Sequence, residues 1–245
     1  MHTPPLALVT GAARRIGAAI SERLHAQGFD LVLHYRHSEA AATALSARLN
    51  RRRAGSCRLL RCDLADLDQL QEMITALSGE TRLQLLVNNA SRFYPTPVEQ
   101  ASQRDWDQLI NSNLRAPFFL STALAAPLRH NRGNIINLVD IHAERGLGGY
   151  PLYSIAKAGL KMMTYALAKE LAPQVRVNAI APGPILWPEA EAALSDAARQ
   201  EVLTKTLLQR TGSAEDIAQA VLYLVRADFV TGQVLTVDGG RSLYS

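Results

Sequence analysis

The sequence predicts an α/β domain of the doubly wound type, a parallel sheet of about seven strands with helices on both faces. Three observations predict this fold class. Short β-rich runs alternate with longer runs of helical spacing along the whole chain. Several strand runs are continuously apolar, as expected when both faces of a sheet are buried. The 245 residues show no linker, low-complexity segment or internal repeat, which favours a single domain over residues 1–245.

The first half is predicted to contain four strands and three helices in strict alternation. Its strands are apolar runs, such as the one at Leu31–Leu33, and Gly28 is placed to cap the first helix at its C-terminus. The second helix is rich in alanine and the third has helical apolar spacing. The predicted strands are 6–9, 31–35, 58–62 and 83–87, and the helices are 15–27, 39–50 and 67–77.

The second half continues the alternation, so a Rossmann-like sheet is expected for the whole chain. Pro117 is expected to bend a long helix at 106–128, and Pro182-Gly183-Pro184 interrupts all regular structure. The remaining predicted helices are 153–171, 192–208 and 214–225, and the strands are 134–139, 175–180 and 233–237. Because ligands of such sheets bind beyond the carboxyl ends of the strands, the functional residues are sought there.

Composition excludes several classes of function. The net charge is +4, but the only tight basic run, Arg51 to Arg53, ends a surface helix, where cations are favoured, so no nucleic-acid partner is expected. Cys57 and Cys62 lie on opposite faces of a strand, which argues against a disulfide or metal site and favours small buried hydrophobes. With no apolar run of about 20 residues and no signal-peptide pattern, we expect a cytoplasmic protein without a membrane partner.

A tight turn between the first strand and the first helix carries the strongest local signal. Gly11 permits the turn, and Gly17 lets the helix pack close to the sheet. The free N–H groups and positive dipole end of such a helix bind a pyrophosphate. The alternative is a tight turn without a ligand.

Residues after the second and third strands indicate which dinucleotide binds. An acidic residue would hold a ribose 2′-hydroxyl and favour NAD, but segment 34–38 contains none. Arg36, with Arg14 and the Ser38 hydroxyl, is suited to a 2′-phosphate, which favours NADP(H); the alternative is an ordinary exposed arginine. Asp63 is placed to accept the adenine amino group or to cap the following helix.

Tyr153 and Lys157 are the predicted proton-delivery pair. Their i, i+4 spacing places both side chains on one face of a helix. A nearby ammonium favours the phenolate, so the tyrosine pKa is expected to fall from about 10 towards neutrality. Lys157 is also suited to hold a ribose hydroxyl. The alternative is a surface pair that arises by chance.

Over nearly its whole length the sequence resembles the short-chain dehydrogenase/reductase family. The motifs that carry the resemblance are Thr10-Gly11 with Gly17, Asn88-Asn89-Ala90, Asn113, Tyr153 with Lys157, Pro182-Gly183 and Asp238-Gly239-Gly240. The resemblance implies that Asn113 takes part in a proton relay to the lysine and that Asn89 and Ala90 line the cofactor. The predicted cofactor residues are Gly11, Arg14, Arg15, Ile16, Tyr35, Arg36, His37, Ser38, Asp63, Leu64, Asn89, Ala90, Tyr153, Lys157, Pro182 and Gly183.

Two departures from the family pattern point to a subgroup. Arg15 stands where the usual turn has a glycine, and Asp140 stands where the catalytic serine is usual. Both are similar to the pteridine reductases, and the most specific match is the stretch Asn88-Asn89-Ala90-Ser91-Arg92-Phe93-Tyr94-Pro95-Thr96-Pro97. The resemblance implies that Asp140 and Tyr153 serve two protonation steps, with Lys157 supporting Tyr153. The alternative for Asp140 is a turn cap.

The same resemblance suggests how a flat pterin is held. Phe93 is expected to stack on the pterin opposite the nicotinamide, with core packing as the alternative. Ser91 is expected to bond the polar edge, and Arg15 to lie between the cofactor phosphates and the pterin. Leu186 and Trp187 are candidates for the outer wall, in a substrate loop at about 183–205.

We therefore expect an NADPH-dependent reductase of dihydropterins, dihydrofolates or oxidised pterins. Residues 1–90 would mainly bind the cofactor and residues 91–245 would carry catalysis. The alternatives are a 3-oxoacyl thioester or other carbonyl reductase of the same family and a non-catalytic NADP-binding regulator. The resemblance also implies a homotetramer that pairs the helices around 106–128 and 153–171.

Overall fold

Parallel pairing joins every strand in the computed structural model, which describes residues 3–187 and 194–244. In this part of the chain the strands are β1 (Leu6–Val9), β2 (Asp30–Tyr35), β3 (Cys57–Arg61), β4 (Leu83–Asn88), β5 (Asn134–Leu138), β6 (Arg176–Pro182) and β7 (Val234–Val237). Their order in the sheet is β3-β2-β1-β4-β5-β6-β7. The order reverses between β1 and β4, which is where doubly wound sheets form their ligand crevice. The expected seven-stranded Rossmann-like fold is confirmed.

Helices cover both faces of the sheet, as predicted. They are α1 (Arg15–Ala26), α2 (Glu39–Arg52), α3 (Leu67–Leu77), α4 (Gln103–Ile110), α5 (Ala116–Ala123), α6 (Ala125–His130), α7 (Pro151–Leu171), α8 (Asp196–Thr204) and α9 (Ala214–Arg226). One buried apolar cluster lies under α3, α5, α6 and α7, and a second lies under α1, α2 and α9. The inner strands β1, β2, β4, β5 and β6 are buried from both sides because each contributes buried side chains to both clusters.

The prediction of a single bent helix at 106–128 is wrong in detail. A capping box at Ser102 and Asp105 starts α4 earlier, a π-helical turn occupies Asn111–Arg115, and α5 and α6 are separated at Leu124. Pro117 and Pro127 have no N–H to donate to the carbonyl four residues before, so regular helical bonding is lost near both. The predicted bend is thus a π turn before Pro117 and a break before Pro127.

Other boundaries differ by a few residues. Of the helix predicted at 192–208, the structure has α8 at Asp196–Thr204. Residues 188–193, which belong to the predicted substrate loop, lie outside the described residues. Helix α7 begins two residues before Tyr153, at Pro151, because proline is well suited to a first helical turn. Cys57 and Cys62 are both buried and free, as expected. Among the described residues, no helix has the length and apolar character needed to cross a membrane.

Candidate active site

The turn between β1 and α1 is packed tightly against the end of β4. Gly11 has a φ of +63°, and a Cβ on Gly17 would lie 2.1 Å from the Gly11 carbonyl oxygen. The Asn89 side-chain amide donates to the carbonyls of Thr10 (2.8 Å) and Gly11 (3.1 Å). These bonds point the turn carbonyls at β4, so the N-terminus of α1 faces the crevice.

Arg15 has a backbone conformation that favours glycine, which is the residue usual at this position in the family that the sequence resembles. Its φ is +53°, in the left-handed region that disfavours a Cβ. Its guanidinium donates to the carbonyl oxygen of Trp187 at 2.9 Å, which ties the turn between β1 and α1 to the segment after β6. A strained residue with such a contact is typical of a functional site.

The strain at Arg15 leads to a stability prediction. Arg15→Gly should be about 1 kcal/mol more stable than Arg15→Ala, because only the alanine Cβ is penalised at positive φ and the unfolded freedom of glycine offsets part of the gain. Urea unfolding measures the difference, and both variants should lose substrate affinity equally. The same pair of changes at Arg132, which has a φ of +49° away from the site, is the matched control. Equal stability of the two Arg15 variants would contradict the prediction.

One groove of about 420 Å³ collects the predicted cofactor residues that precede position 91. All twelve of them line it, from Gly11 in the turn to Asp63 and Ala90 at the ends of β3 and β4. The other four, Tyr153, Lys157, Pro182 and Gly183, are not among its lining residues. Asp63 accepts from the Ala65 N–H, whereas Asp66 caps α3, so the interpretation of Asp63 as the helix cap is wrong.

Two residues of this groove were missed by the sequence analysis. Buried His34 accepts from the Gly11 N–H at Nδ1 (3.0 Å) and donates from Nε2 to the Cys62 carbonyl (3.0 Å). Burial lowers the pKa of His34 to about 4, which keeps the imidazole neutral and able to accept. Arg92 is the second, since its guanidinium nitrogen lies 2.8 Å from both carboxylate oxygens of Asp63. The periodic patterns could not reveal either residue, since their partners lie more than 20 residues away along the chain.

The catalytic candidates Tyr153 and Asp140 are in direct contact. The buried Tyr153 hydroxyl donates to Asp140 Oδ2 at 2.8 Å, and Asp140 Oδ1 accepts from the His142 N–H at 2.8 Å. Asp140 is therefore both a turn cap and the partner of the tyrosine. Burial first, and then the Asp140 charge, raise the pKa of Tyr153 well above its ordinary value. The expected lowering is wrong, because burial disfavours the charged phenolate and the charge in contact with the hydroxyl is a carboxylate, not an ammonium.

Lys157 and Asn113, the other two catalytic candidates, are held by bonds to the backbone. Buried Lys157 donates to the Leu138 carbonyl at 2.8 Å, and burial lowers its pKa to about 8, although the Asp140 charge opposes the shift. Asn113 lies in the π-helical turn, a feature often found at functional sites. Its amide donates to the Arg92 carbonyl, and its oxygen accepts from Ser91 Oγ at 2.7 Å. The Ser91 hydroxyl thus contacts Asn113, which the sequence did not predict.

Phe93 forms an aromatic cluster at the same place. Its ring is stacked on Tyr150, with centroids 4.6 Å apart, and meets the edge of Tyr153 at 4.8 Å. Tyr150 covers one face of Phe93, so a planar ligand would have to use the other. Tyr150 was missed by the sequence analysis, since a tyrosine before a helix has no distinguishing pattern.

The outer-wall candidates follow β6. Leu186 is exposed, and the Trp187 ring lies 5.6 Å from the Arg199 guanidinium of α8. Gly183 packs against Asp238 so closely that a Cβ there would lie 2.4 Å from the Asp238 Cβ. The structure thus joins Arg15 to Trp187 and Phe93 to Tyr153, and Tyr153 in turn to Asp140.

Comparisons with known proteins match the chain over nearly its full length. A family model described as enoyl-(acyl carrier protein) reductase matches residues 11–242. The chain is 34% identical to pteridine reductase 1 of Leishmania tarentolae, covering 98% of this chain and 97% of that protein. It is also 34% identical to the 3-oxoacyl-acyl-carrier-protein reductase FabG of Staphylococcus aureus, covering 96% of each. A putative ketoacyl reductase 2 of granaticin polyketide synthesis from Streptomyces violaceoruber is 34% identical as well, covering 98% of this chain and 96% of its own.

Proposed function

The chain belongs to the short-chain dehydrogenase/reductase family, a family of oxidoreductases, and from that premise we propose that it is an NADPH-dependent pteridine reductase. Its substrates would be dihydropterins, dihydrofolates or oxidised pterins. The 2.8 Å bond from Tyr153 to Asp140 is the observation that carries the proposal. Identity alone does not separate this function from ketoacyl reduction, because relatives of both kinds are 34% identical.

The chemistry of Asp140 favours a ring nitrogen over a ketone. Ketone reduction builds negative charge on an oxygen, which a neighbouring carboxylate would repel and a hydroxyl would stabilise. Reduction of a pterin C=N bond instead requires a proton at nitrogen, and a carboxyl group can carry one directly or through water. Asp140 in the serine position therefore argues against the carbonyl reductase alternative.

The groove fits NADP(H). A Cβ at Gly11 would lie 2.9 Å from the Ala90 Cα, and one at Gly17 would lie 2.1 Å from the Gly11 carbonyl oxygen, so glycine at both positions lets the turn pack closely with the N-terminus of α1 open to a pyrophosphate. Arg14, Arg36 and Ser38 line the same groove and are suited to a 2′-phosphate. When bound there, NADPH would supply the hydride.

The chain's own residues handle the proton. Tyr153 keeps its phenolic proton, because burial and Asp140 raise its pKa, and it is therefore equipped to donate. Asp140 fixes the direction of that hydroxyl. Lys157 contributes a positive charge that favours the phenolate left after donation, and Asn113, which accepts from Ser91, would take part in relaying a replacement proton, as the family resemblance implies.

A substrate panel tests the proposed function. NADPH consumption is measured with dihydrobiopterin, dihydromonapterin, dihydrofolate and a 3-oxoacyl thioester. We expect the best pterin or folate to exceed the thioester in kcat/KM by about 100-fold, the usual size of an acid–base contribution. Turnover of the thioester alone would overturn the pterin assignment. NADPH binding without turnover of any substrate would instead support the regulator.

We also propose that the protein assembles as a homotetramer through its long helices. Phe118, Phe119 and Met162 are exposed along a groove between α5 and α7. Exposed apolar patches of this kind commonly mark protein interfaces. Light scattering would give the mass in solution, and a monomer at micromolar concentration would contradict this assembly.

A further inference from the structure

Two arginines share one carboxylate at the adenosine end of the groove. Arg92 lies 2.8 Å from both oxygens of Asp63, and Arg36 lies 3.9 Å from Oδ2. All three residues line the groove. One of the two positive charges is therefore balanced by Asp63, and the group as a whole carries a charge of +1.

Asp63 is an ionised group that needs a counterion. Partial burial raises its pKa, but the Arg92 hydrogen bond, the Ala65 N–H and the charges of Arg92 and Arg36 hold it below its usual value overall. A bare carboxylate here would repel a phosphate and attract the Arg36 guanidinium. Arg92 makes the closer contact of the two arginines, and so it is the counterion.

The position of Arg92 is determined by the protein around it. Its carbonyl oxygen accepts from the Asn113 amide at 3.0 Å, and its side chain is only 20% exposed. Arg36 has a side chain that is 37% exposed, as suits a group that reaches a ligand. The two arginines therefore differ in role although they contact one carboxylate.

We propose that Arg92 determines the preference for the 2′-phosphorylated cofactor, because it neutralises Asp63 and leaves Arg36 available to the phosphate. The inference rests on the proposed use of NADPH. It predicts that an arginine without any phosphate contact of its own controls the choice between NADPH and NADH.

The test is the ratio of the NADH and NADPH dissociation constants, measured by fluorescence titration of the intact protein. Arg92→Gln should lower this preference for NADPH about tenfold, the usual scale for one charge-assisted contact. Adding Asp63→Asn to that variant should restore the ratio to within about threefold of the wild type, as a double-mutant cycle requires of coupled charges. Any contact of Asp63 with adenine is common to both cofactors and cancels in the ratio.

Three further variants complete the test. Arg92→Lys keeps the charge and should retain most of the preference for NADPH. Arg36→Gln should lose that preference, because it removes the proposed phosphate contact itself. Arg51→Gln removes a charge from an exposed position at the end of α2 and should leave the ratio unchanged. Circular dichroism confirms that each variant is folded.

The outcomes distinguish the inference from the proposed function. A wild type that binds NADH better would overturn the cofactor proposal itself. A wild type that prefers NADPH, with an unchanged ratio in Arg92→Gln, would overturn the role of Arg92 alone. If Arg92→Gln lowered the preference for NADPH and Asp63→Asn did not restore it, the role of Arg92 would also be overturned, because that result would indicate direct contact between Arg92 and the phosphate.

Discussion

Tyr153→Phe should lower kcat about 1,000-fold, within the range that a positioned general acid contributes, and change NADPH affinity less than about twofold. The Tyr153 hydroxyl is the buried donor in contact with Asp140, and phenylalanine removes only that group. Stopped-flow oxidation of NADPH measures the chemical step. The matched control is Tyr165→Phe, which makes the same change twelve residues further along α7 and should keep full activity.

The pH profile tests Lys157, the other member of the proposed proton-delivery pair. Since burial lowers the pKa of Lys157 to about 8, its ammonium is present below that pH and lost above it. The kcat/KM of the wild type should therefore fall as pH rises through about 8, while the raised pKa of Tyr153 keeps the phenol protonated throughout. Lys157→Arg should move this limb to higher pH. A flat profile from pH 6 to 9, or an active Tyr153→Phe, would contradict the assignment of the pair.

Asp140→Ser should lower turnover of the preferred pterin about 100-fold and raise turnover of a 3-oxoacyl thioester. The serine hydroxyl can stabilise the charge that develops on a ketone oxygen, whereas it cannot carry the proton that a ring nitrogen needs. The ratio of the two kcat/KM values is the measurement. It reports specificity directly, so a general loss of activity does not affect it.

Asp140→Asn is the matched control for this change. The single carbonyl oxygen of asparagine can still accept from the His142 N–H, so the turn at Ile141–Ala143 should be preserved. Its NH2 group then takes the position of Oδ2 and cannot accept from the Tyr153 hydroxyl. Asparagine has no proton to transfer, and we expect the variant to lose pterin turnover without gaining the thioester. If Asp140→Ser retained pterin turnover, the carboxyl group would not be the deciding feature of the substrate site.

The errors of the sequence analysis have a common origin. The alternation of strands and helices and the tight turn between β1 and α1 follow from neighbouring residues, and both were predicted, except that the helix at 106–128 is divided. The Tyr153 pKa was predicted in the wrong direction because the prediction rested on the charge of Lys157, four residues away, and left out the burial of the hydroxyl. Burial of the hydroxyl is the larger cause of the raised pKa, and Asp140, which accepts from that hydroxyl, adds to it.

By itself, the sequence determined the doubly wound fold, the Tyr153–Lys157 spacing and the unusual Asp140, because these depend on periodicity and on residue identity. Only the tertiary structure decided which groups meet. It placed Arg92 on Asp63 and the Arg15 guanidinium on the Trp187 carbonyl. Hydrogen bonds and charges act over a few ångströms, so their partners are chosen by the packing of strand ends and loops that are far apart along the chain.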